Sequence, residues 1–375
     1  MTQKEQVRNE LLEIKKQYPL FGIKNFRSTC FANSVFQALL SLPQFVEYLR
    51  HVEPTPEMKY TAALKETFEP LLKCRSNGIQ RFTIYPSDSL KDIIIKLQTE
   101  SGQKQMDAGE FFTIIIDNLH NECKDLPRHQ TTENKEMKEM KNDKENDEEK
   151  ESEMKEENDE IEEDEEDEWQ EVSKKKKKQK KQQKKMTVKK QEQKVIERAE
   201  VEDGSSVISD FFRGRMTTNT INKKTNESSN VSQDFYVFSM PALNLHNVKQ
   251  AMNATLQERK INNTHNQSIV ITHPPRILVL QFNRFIFNQQ TLRVEKLTHD
   301  IKFERQIEVQ TSNGKKTYTL SSVIEHRGNQ IGRGHYVSFV RRGDKWYFCN
   351  DDRIISIDEE EIYDKMAYLL VYTTN

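Results

Sequence analysis

The stretch GIKNFRSTCFANSVFQALL, residues 22–40, passes from a polar loop into an apolar segment, and a single cysteine marks the change. Apolar residues recur three or four positions apart from Val35 to Leu42, and Pro43 then interrupts the pattern. This spacing predicts an amphipathic helix that begins near Cys30. The thiol then has two interpretations: a small apolar residue packed beneath the helix, or a nucleophile that the helix N-terminus makes reactive.

Charge is distributed unevenly along the chain of 375 residues. Residues 141–170 hold 18 Asp and Glu against four Lys, a net of −14, whereas residues 171–199 hold 13 Lys and Arg against three Glu, a net of +10. Like-charge runs with few aromatic residues do not form a core, so residues 124–200 are predicted to be a disordered insertion, acidic and then basic. The basic run KKKKKQKKQQKK leaves open nuclear localisation or a weak contact with histones or nucleic acid.

The hydrophobic pattern differs on the two sides of this charged segment. Residues 30–42, 59–74, 87–99 and 105–121 have helical spacing. After about residue 200, segments rich in β-branched and aromatic residues alternate with turn sequences. Helices followed by antiparallel strands predict an α+β fold. The predicted strands are FYVFSM (235–240), RILVLQFNRFIF (276–287), KTYTLSSVIEH (316–326), HYVSFVRR (335–342), KWYFCN (345–350) and AYLLVYT (367–373).

The cysteine content and the apolar segments indicate a compartment. The cysteines are scattered and none forms a C-x-x-C pair, so we expect neither a disulfide framework nor a zinc site. The first residues lack the apolar stretch of a signal peptide, and no window approaches 18 consecutive apolar residues. We therefore expect a soluble protein of the cytoplasm or nucleus that makes no membrane contact. The cysteines are Cys30, Cys74, Cys123 and Cys349.

A cysteine nucleophile requires a base, commonly a histidine, and a third group that orients the base. Among nine histidines, His335 follows the glycine-containing sequence 332–334 and opens a predicted strand, which suits the edge of a cleft. A hairpin would return Asn350, Asp351 and Asp352 to this strand. Asn350 or Asp351 would then fix the imidazole tautomer and leave the other ring nitrogen facing a thiol. A half-buried histidine beside a polar turn is the alternative interpretation.

Acyl transfer also requires hydrogen-bond donors for the oxyanion. Asn25 lies five residues before Cys30, and its amide can donate together with the backbone N–H of Cys30. An asparagine that stabilises a turn is the alternative.

Four segments occur in order over residues 22–372, almost the whole chain. They are GIKNFRSTCFANSVFQALL, then QMDAGEFFTIIIDNLH, then PPRILVLQFNRFIF, and finally IEHRGNQIGRGHYVSFVRR followed by WYFCNDDRIISI. This series resembles the cysteine box, the Q-Q-D-A-x-E-F segment, the R-F strand and the histidine box of the ubiquitin-specific proteases. That family consists of papain-like cysteine deubiquitinases, peptidase family C19.

The resemblance implies a thiol-dependent deubiquitinase that needs no cofactor. It would hydrolyse the isopeptide bond after the C-terminal glycine of ubiquitin on protein conjugates, through an acyl-enzyme. Its partners would be ubiquitin and ubiquitinated proteins. The implied catalytic residues are Cys30 as nucleophile, His335 as base, Asn350 as orienting group, Asp351 as a helper and Asn25 as oxyanion donor.

The resemblance also implies a groove for the C-terminal tail of ubiquitin. That tail is basic and ends in Gly-Gly, so acidic side chains suit it. Gly334 would give clearance, and Tyr336 would wall a channel that only glycines can enter. Gln105, Asp107 and Glu110 would lie along the groove.

A thumb, palm and fingers architecture follows from the same resemblance. Residues 1–20 would be a lead-in and residues 21–123 a helical thumb. Residues 124–200 would be the insertion, and residues 201–375 the β-rich fingers and palm of the same catalytic domain.

The sequence departs from the family pattern in two places. Arg27 and Ser28 stand where the family has Gly-Asn, in the loop that carries the oxyanion geometry. This change keeps open a weak or inactive ubiquitin-binding pseudo-enzyme, and a protease for another ubiquitin-like modifier is a further alternative. The zinc-binding C-x-x-C pairs of the family's finger subdomain also have no counterpart, so we expect no structural zinc.

Overall fold

The computed structural model describes residues 20–74, 81–124, 204–330 and 332–374. The predicted lead-in at 1–20 and the predicted insertion at 124–200 lie outside these residues, apart from Leu20 and Lys124. All described residues except Gly204 belong to one compact unit.

Five helices form the N-terminal part, which we call the thumb. Asp107 caps the fifth helix by accepting hydrogen bonds from the backbone N–H groups of Gly109 and Glu110, at 2.8 and 3.0 Å. The helix therefore begins at Ala108, three residues later than the periodicity predicts. Ser87 caps the fourth helix in the same way. The thumb helices are α1 (Cys30–Leu39), α2 (Pro43–His51), α3 (Lys59–Lys73), α4 (Asp88–Ser101) and α5 (Ala108–Cys123).

The helix that starts at the cysteine lies at the centre of the thumb. All ten residues of α1 are buried. Phe31 and Phe36 pack edge-on against Phe111 of α5, with ring centroids 5.1 and 5.6 Å apart, and Phe68 of α3 lies 5.6 Å from Phe36. Aromatic pairs of this geometry add stabilisation to the burial of their apolar surface. These contacts fix the position of α1, and with it the position of Cys30 at its first residue.

Strands dominate the C-terminal half, and two short helices, α6 (Val207–Phe212) and α7 (Val248–Leu256), accompany them. Two further strands, Leu20–Ile23 and Arg81–Ile84, lie in the N-terminal part and pair in parallel. The strands are β1 (Leu20–Ile23), β2 (Arg81–Ile84), β3 (Gly214–Asn222), β4 (Ser228–Phe235), β5 (Phe238–Pro241), β6 (Arg259–Lys260), β7 (His265–His273), β8 (Ile277–Asn283), β9 (Phe285–Asn288), β10 (Arg293–Lys296), β11 (Gln306–Thr311), β12 (Gly314–Gln330), β13 (Arg333–Arg342), β14 (Lys345–Asn350), β15 (Arg353–Ile357) and β16 (Ala367–Thr373).

An eight-stranded sheet, which we call the palm, positions the predicted histidine. Its strand order is β15-β14-β13-β12-β16-β8-β5, with β11 paired to β12. The pairs are antiparallel except for β5 with β8. In this register His335 lies opposite Arg327 of β12, and a two-residue turn leads from β13 into β14. His335 and Asn350 therefore come from neighbouring strands inside one sheet.

A second sheet of four strands, which we call the fingers, has the order β4-β3-β7-β6. Half of its residues are Thr, Asn, Ser or Gln, and most of the side chains on β4 are exposed. In the described part of the chain, no three His, Cys, Asp or Glu side chains gather where they could hold a metal ion. Across the same residues, no helix is long and apolar enough to cross a membrane.

The α+β prediction with thumb, palm and fingers is confirmed. The predicted strand 276–287 is divided at Arg284, where the backbone N–H of Arg284 bonds to the carbonyl of Phe282 at 2.8 Å; the buried guanidinium donates to the carbonyls of Ala367, Leu297 and His299. The finger strands were not predicted, since their polar sequences lack the apolar alternation on which strand prediction depends.

Candidate active site

The thumb and the palm meet at the sulfur of Cys30. The residue opens α1 and its side chain is buried, with 2% of the residue exposed. Two N–H groups point at the sulfur: Nε2 of Gln105 lies 3.0 Å away, and the backbone nitrogen of Tyr336 lies 3.4 Å away. Both partners lie far from Cys30 in sequence, so only the fold brings them to the thiol.

His335 and Asn350 form the palm side of the site. Nε2 of the imidazole lies 2.6 Å from Oδ1 of Asn350. An amide oxygen only accepts hydrogen bonds, so Nε2 carries the hydrogen and Nδ1 is left for the thiol. The hydrogen bond with Cys30, opposed by burial and aided by Asn350, raises the pKa of His335 to about 9. The imidazole is therefore protonated at neutral pH.

Asp351 connects the two walls of the cleft. Its carboxylate accepts hydrogen bonds from Nδ2 of Asn25 and Nδ2 of Asn33, both at 2.8 Å, and its backbone carbonyl accepts one from the backbone N–H of Ile23 at 2.9 Å. It acts on His335 through its charge, which contributes to the raised pKa of the imidazole. Its carboxylate thus binds the thumb, whereas Asn350 makes the hydrogen bond to the imidazole.

The loop before Cys30 is wound tightly around Asn25. Oδ1 of Asn25 accepts hydrogen bonds from the backbone nitrogen and the hydroxyl of Thr29, at 3.0 and 3.3 Å. Arg27 and Ser28 adopt left-handed conformations, with φ of +49° and +65°. The loop therefore follows a path that glycine would adopt freely, at a cost of roughly 1–2 kcal/mol per non-glycine residue. One amide hydrogen of Asn25 is bonded to Asp351, so the Nδ2 group has a second hydrogen that can still be donated.

A family comparison accounts for this arrangement. The model of the family "Ubiquitin carboxyl-terminal hydrolase" matches residues 21–372. The chain belongs to this family of cysteine deubiquitinases. Its resemblance to the family in sequence is thereby confirmed.

The share of the chain that aligns with an individual relative differs from one relative to another. Ubiquitin hydrolase B of Dictyostelium discoideum is 30% identical over 123 residues, which are 32% of this chain and 27% of that protein. Ubiquitin carboxyl-terminal hydrolase 12 of Salmo salar is 21% identical over 385 residues, which are 95% of this chain and 86% of that protein. The chain thus matches about a quarter of the length of one relative and most of the other.

Among solved structures, the SAGA Ubp8/Sgf11/Sus1/Sgf73 DUB module bound to ubiquitin aldehyde is similar to this chain. Its TM-score is 0.63 at 17% identity, and the match covers 96% of this chain and 70% of that one. At this level of identity the likeness concerns the fold.

Asp107 of the thumb, predicted to lie along a groove, contacts two tyrosines and a glutamine of the palm. Oδ2 of Asp107 accepts hydrogen bonds from the hydroxyls of Tyr368 and Tyr336, the latter at 3.5 Å, and Oδ1 accepts one from Nε2 of Gln281 at 3.3 Å. Glu110, one turn into α5, is exposed. Sequence reasoning did not single out Tyr368 or Gln281, because they lie in ordinary strand patterns with no local signal.

Gly334 is closely surrounded. A Cβ at this position would lie 2.4 Å from the carbonyl oxygen of Arg327 and 2.4 Å from Nε2 of His326. Its own carbonyl accepts a hydrogen bond from Gln105 at 3.0 Å. A side chain at position 334 would therefore displace the strands on which His335 depends.

His326 is a buried histidine that packs against Tyr336. Its ring centroid lies 4.6 Å from that of Tyr336, and burial, with the charge of Lys296, lowers its pKa to about 4. It is therefore neutral at physiological pH and distinct in charge from His335. Lys296 donates to the carbonyls of His326 and Gly328, at 2.6 and 2.8 Å, which stabilises the tip of the β12–β13 hairpin.

Proposed function

We propose that this chain is a thiol-dependent deubiquitinase that cleaves the isopeptide bond after the C-terminal glycine of ubiquitin on protein conjugates. The observation that carries the proposal is the convergence of Cys30, His335 and Asn350 at one point where the thumb meets the palm. Membership of the ubiquitin carboxyl-terminal hydrolase family supports it.

In the proposed reaction, the proton of the Cys30 thiol has already passed to Nδ1 of His335 before substrate binds, which gives the protonated imidazole, and the thiolate attacks the isopeptide carbonyl. The imidazolium then gives its proton to the departing lysine amine, which leaves ubiquitin attached to the sulfur as a thioester. Water attacks this acyl-enzyme with His335 as base, and the ubiquitin carboxylate is released. Asn350 keeps the imidazole in the tautomer that both steps need. Asn25 donates its remaining amide hydrogen to the oxyanion, and Asp351 fixes the orientation of that amide.

The groove beside the thiol suits an extended tail that ends in Gly-Gly. Gly334 is exposed and carries no side chain that could obstruct such a tail, and the rings of Tyr336 and Tyr368 lie 5.9 Å apart next to Asp107. Asp107 and the exposed Glu110 supply negative charge toward a basic tail. The proposal also includes the predicted domain boundaries and a cytoplasmic or nuclear location. It further includes a weak contact of the charged insertion with histones or nucleic acid.

Ubiquitin with a thiol-reactive group at its C-terminus tests the assignment directly. We expect a single adduct that mass spectrometry maps to Cys30 and that is lost in Cys30→Ala. The matched control is Cys74→Ala, which removes the only described thiol that is not fully buried, and should leave the adduct unchanged. A fluorogenic ubiquitin substrate and a lysine-linked ubiquitin conjugate then measure turnover.

Two outcomes would replace the proposal with its alternatives. Tight ubiquitin binding without an adduct at any pH would indicate a pseudo-enzyme. An adduct with another ubiquitin-like modifier in preference to ubiquitin would indicate a different substrate class. Bound zinc in stoichiometric amount, measured on the purified protein, would contradict the expectation of zinc-free fingers.

A further inference from the structure

We propose that Gln105 is a catalytic residue that donates a hydrogen bond to the Cys30 sulfur and favours its thiolate form. This inference rests on the proposed function, in which Cys30 is the nucleophile. The sequence resemblance implies only a groove position for Gln105, so the role proposed here is a different one.

The position of the Gln105 amide determines which of its atoms faces the sulfur. Nε2 lies 3.0 Å from Sγ of Cys30 and 3.0 Å from the carbonyl oxygen of Gly334. A backbone carbonyl only accepts hydrogen bonds, so the amide nitrogen rather than the amide oxygen must lie between these two groups. Each of its two hydrogens then has a partner, and one of them points at the reacting atom.

The surrounding structure keeps this amide in place before substrate arrives. Gln105 is 4% exposed and the following Met106 is 1% exposed. Asp107, two residues later, is fixed by its cap on α5 and by the palm hydroxyls. The donor therefore needs no reorganisation to reach the sulfur, which is the condition under which a hydrogen bond contributes most to catalysis.

Hydrogen-bond donors surround the position where negative charge lies when the sulfur reacts as a thiolate. The backbone N–H of Tyr336 lies 3.4 Å from Sγ on the palm side, and the imidazole of His335 supplies the cation. Gln105 adds a neutral donor from the thumb. Hydrogen bonds to an ionised partner are stronger than those to a neutral one, so the amide favours thiolate over thiol. The phenol of Tyr336 also acts electrostatically with Cys30, but it belongs to the palm and is retained in thumb variants.

The test is the pH dependence of Cys30 alkylation by iodoacetamide, followed on the Cys30 peptide by mass spectrometry. Gln105→Met removes the donor at similar volume, and Gln105→Glu places an acceptor against the sulfur. We expect the midpoint of the alkylation profile to rise by about one pH unit in Gln105→Met, the effect of losing one hydrogen bond to a charged group, and by more in Gln105→Glu. Gln103→Met is the matched control: Gln103 lies in the same loop but is exposed, and its profile should match that of the unsubstituted chain.

A second readout separates this role from a groove role. With a fluorogenic ubiquitin substrate, loss of a sulfur donor lowers kcat at neutral pH by roughly tenfold and is partly rescued at higher pH, with KM little changed. An unchanged alkylation midpoint in both Gln105 variants, with a raised KM, would overturn the proposal in favour of the groove role. If one variant does not fold, as judged by its thermal transition, the other decides.

Failure of the proposed function would look different. Iodoacetamide needs no ubiquitin, so the alkylation profile reports on the sulfur whether or not ubiquitin is the substrate. A shifted profile together with no ubiquitin adduct would reject the deubiquitinase assignment and support the Gln105 contact.

Discussion

The two walls of the cleft hold their reactive groups by different means. On the palm, His335 and Asn350 lie on adjacent strands of an eight-stranded sheet, so repeated backbone hydrogen bonds set their separation. On the thumb, Cys30 follows a loop held by a few side-chain bonds, in which Arg27 and Ser28 have positive φ. We infer that the palm fixes the geometry on which turnover depends most, and that substitution at exposed positions of the thumb loop mainly affects stability.

The largest effect should come from removing the orienting group on the palm. Asn350→Ala deletes the acceptor 2.6 Å from Nε2 of His335, so the ring no longer presents Nδ1 to the sulfur. We expect kcat for a fluorogenic ubiquitin substrate to fall roughly 10²-fold, with ubiquitin affinity nearly unchanged. Asn350→Asp, which keeps an acceptor in place, is the matched control and should retain most activity. An undiminished kcat in Asn350→Ala would move the orienting role to Asp351.

Breaking the connection between the walls should cost both stability and turnover. Asp351→Ala removes the acceptor shared by Asn25 and the buried Asn33. We expect the free energy of unfolding to fall by about 2 kcal/mol, because polar groups lose their partners. A fall in Tm of several degrees and a lower kcat should accompany it. Asp352→Ala is the neighbouring control, since its ion pair with Lys24 lies on the surface, and its Tm should hardly change.

The pH dependence of stability should reveal the charge on the palm. The folded pKa of His335, raised to about 9 by its hydrogen bond with Cys30, exceeds the ordinary value of 6.5. The protonated imidazole therefore stabilises the folded state fully below pH 6.5, and this contribution is lost as the pH rises through 9. Between these values, the free energy of unfolding should fall more steeply in the unsubstituted chain than in His335→Gln. Parallel slopes for the two proteins, measured by urea unfolding, would contradict the assignment.

The smallest effect should appear in the thumb loop. Arg27 is exposed and has φ of +49°, so Arg27→Gly removes a left-handed non-glycine residue at the cost of a more flexible unfolded chain. We expect a net gain of up to about 1 kcal/mol and a kcat within about twofold of the original. Gly102→Ala, at φ of +67° with open space around it, is the reverse control and should lose stability. A large rise in kcat for Arg27→Gly would mean that the arginine impairs the oxyanion loop.

Much of the fold could be predicted because its signals are local. Helical spacing at 59–74 and 87–99 corresponds to α3 and α4, and strand composition at 345–350 corresponds to β14. The finger strands gave no such signal. They form by pairing between strands whose side chains are largely polar, and they have no alternating apolar face that a sequence pattern could reveal. The boundary at Ala108 depended on a side-chain cap that outweighed periodicity.

For the site itself, the sequence determined which residues to consider, since the cysteine loop, the histidine strand and the Asn-Asp turn are each short continuous runs. Only the tertiary structure decided what each side chain contacts. Asn350 meets His335, Asp351 meets Asn25 across 326 residues, and Gln105 meets the sulfur across 75. Hydrogen bonds act over about 3 Å, so contacts between such distant positions depend on how the thumb packs against the palm, which no local pattern encodes.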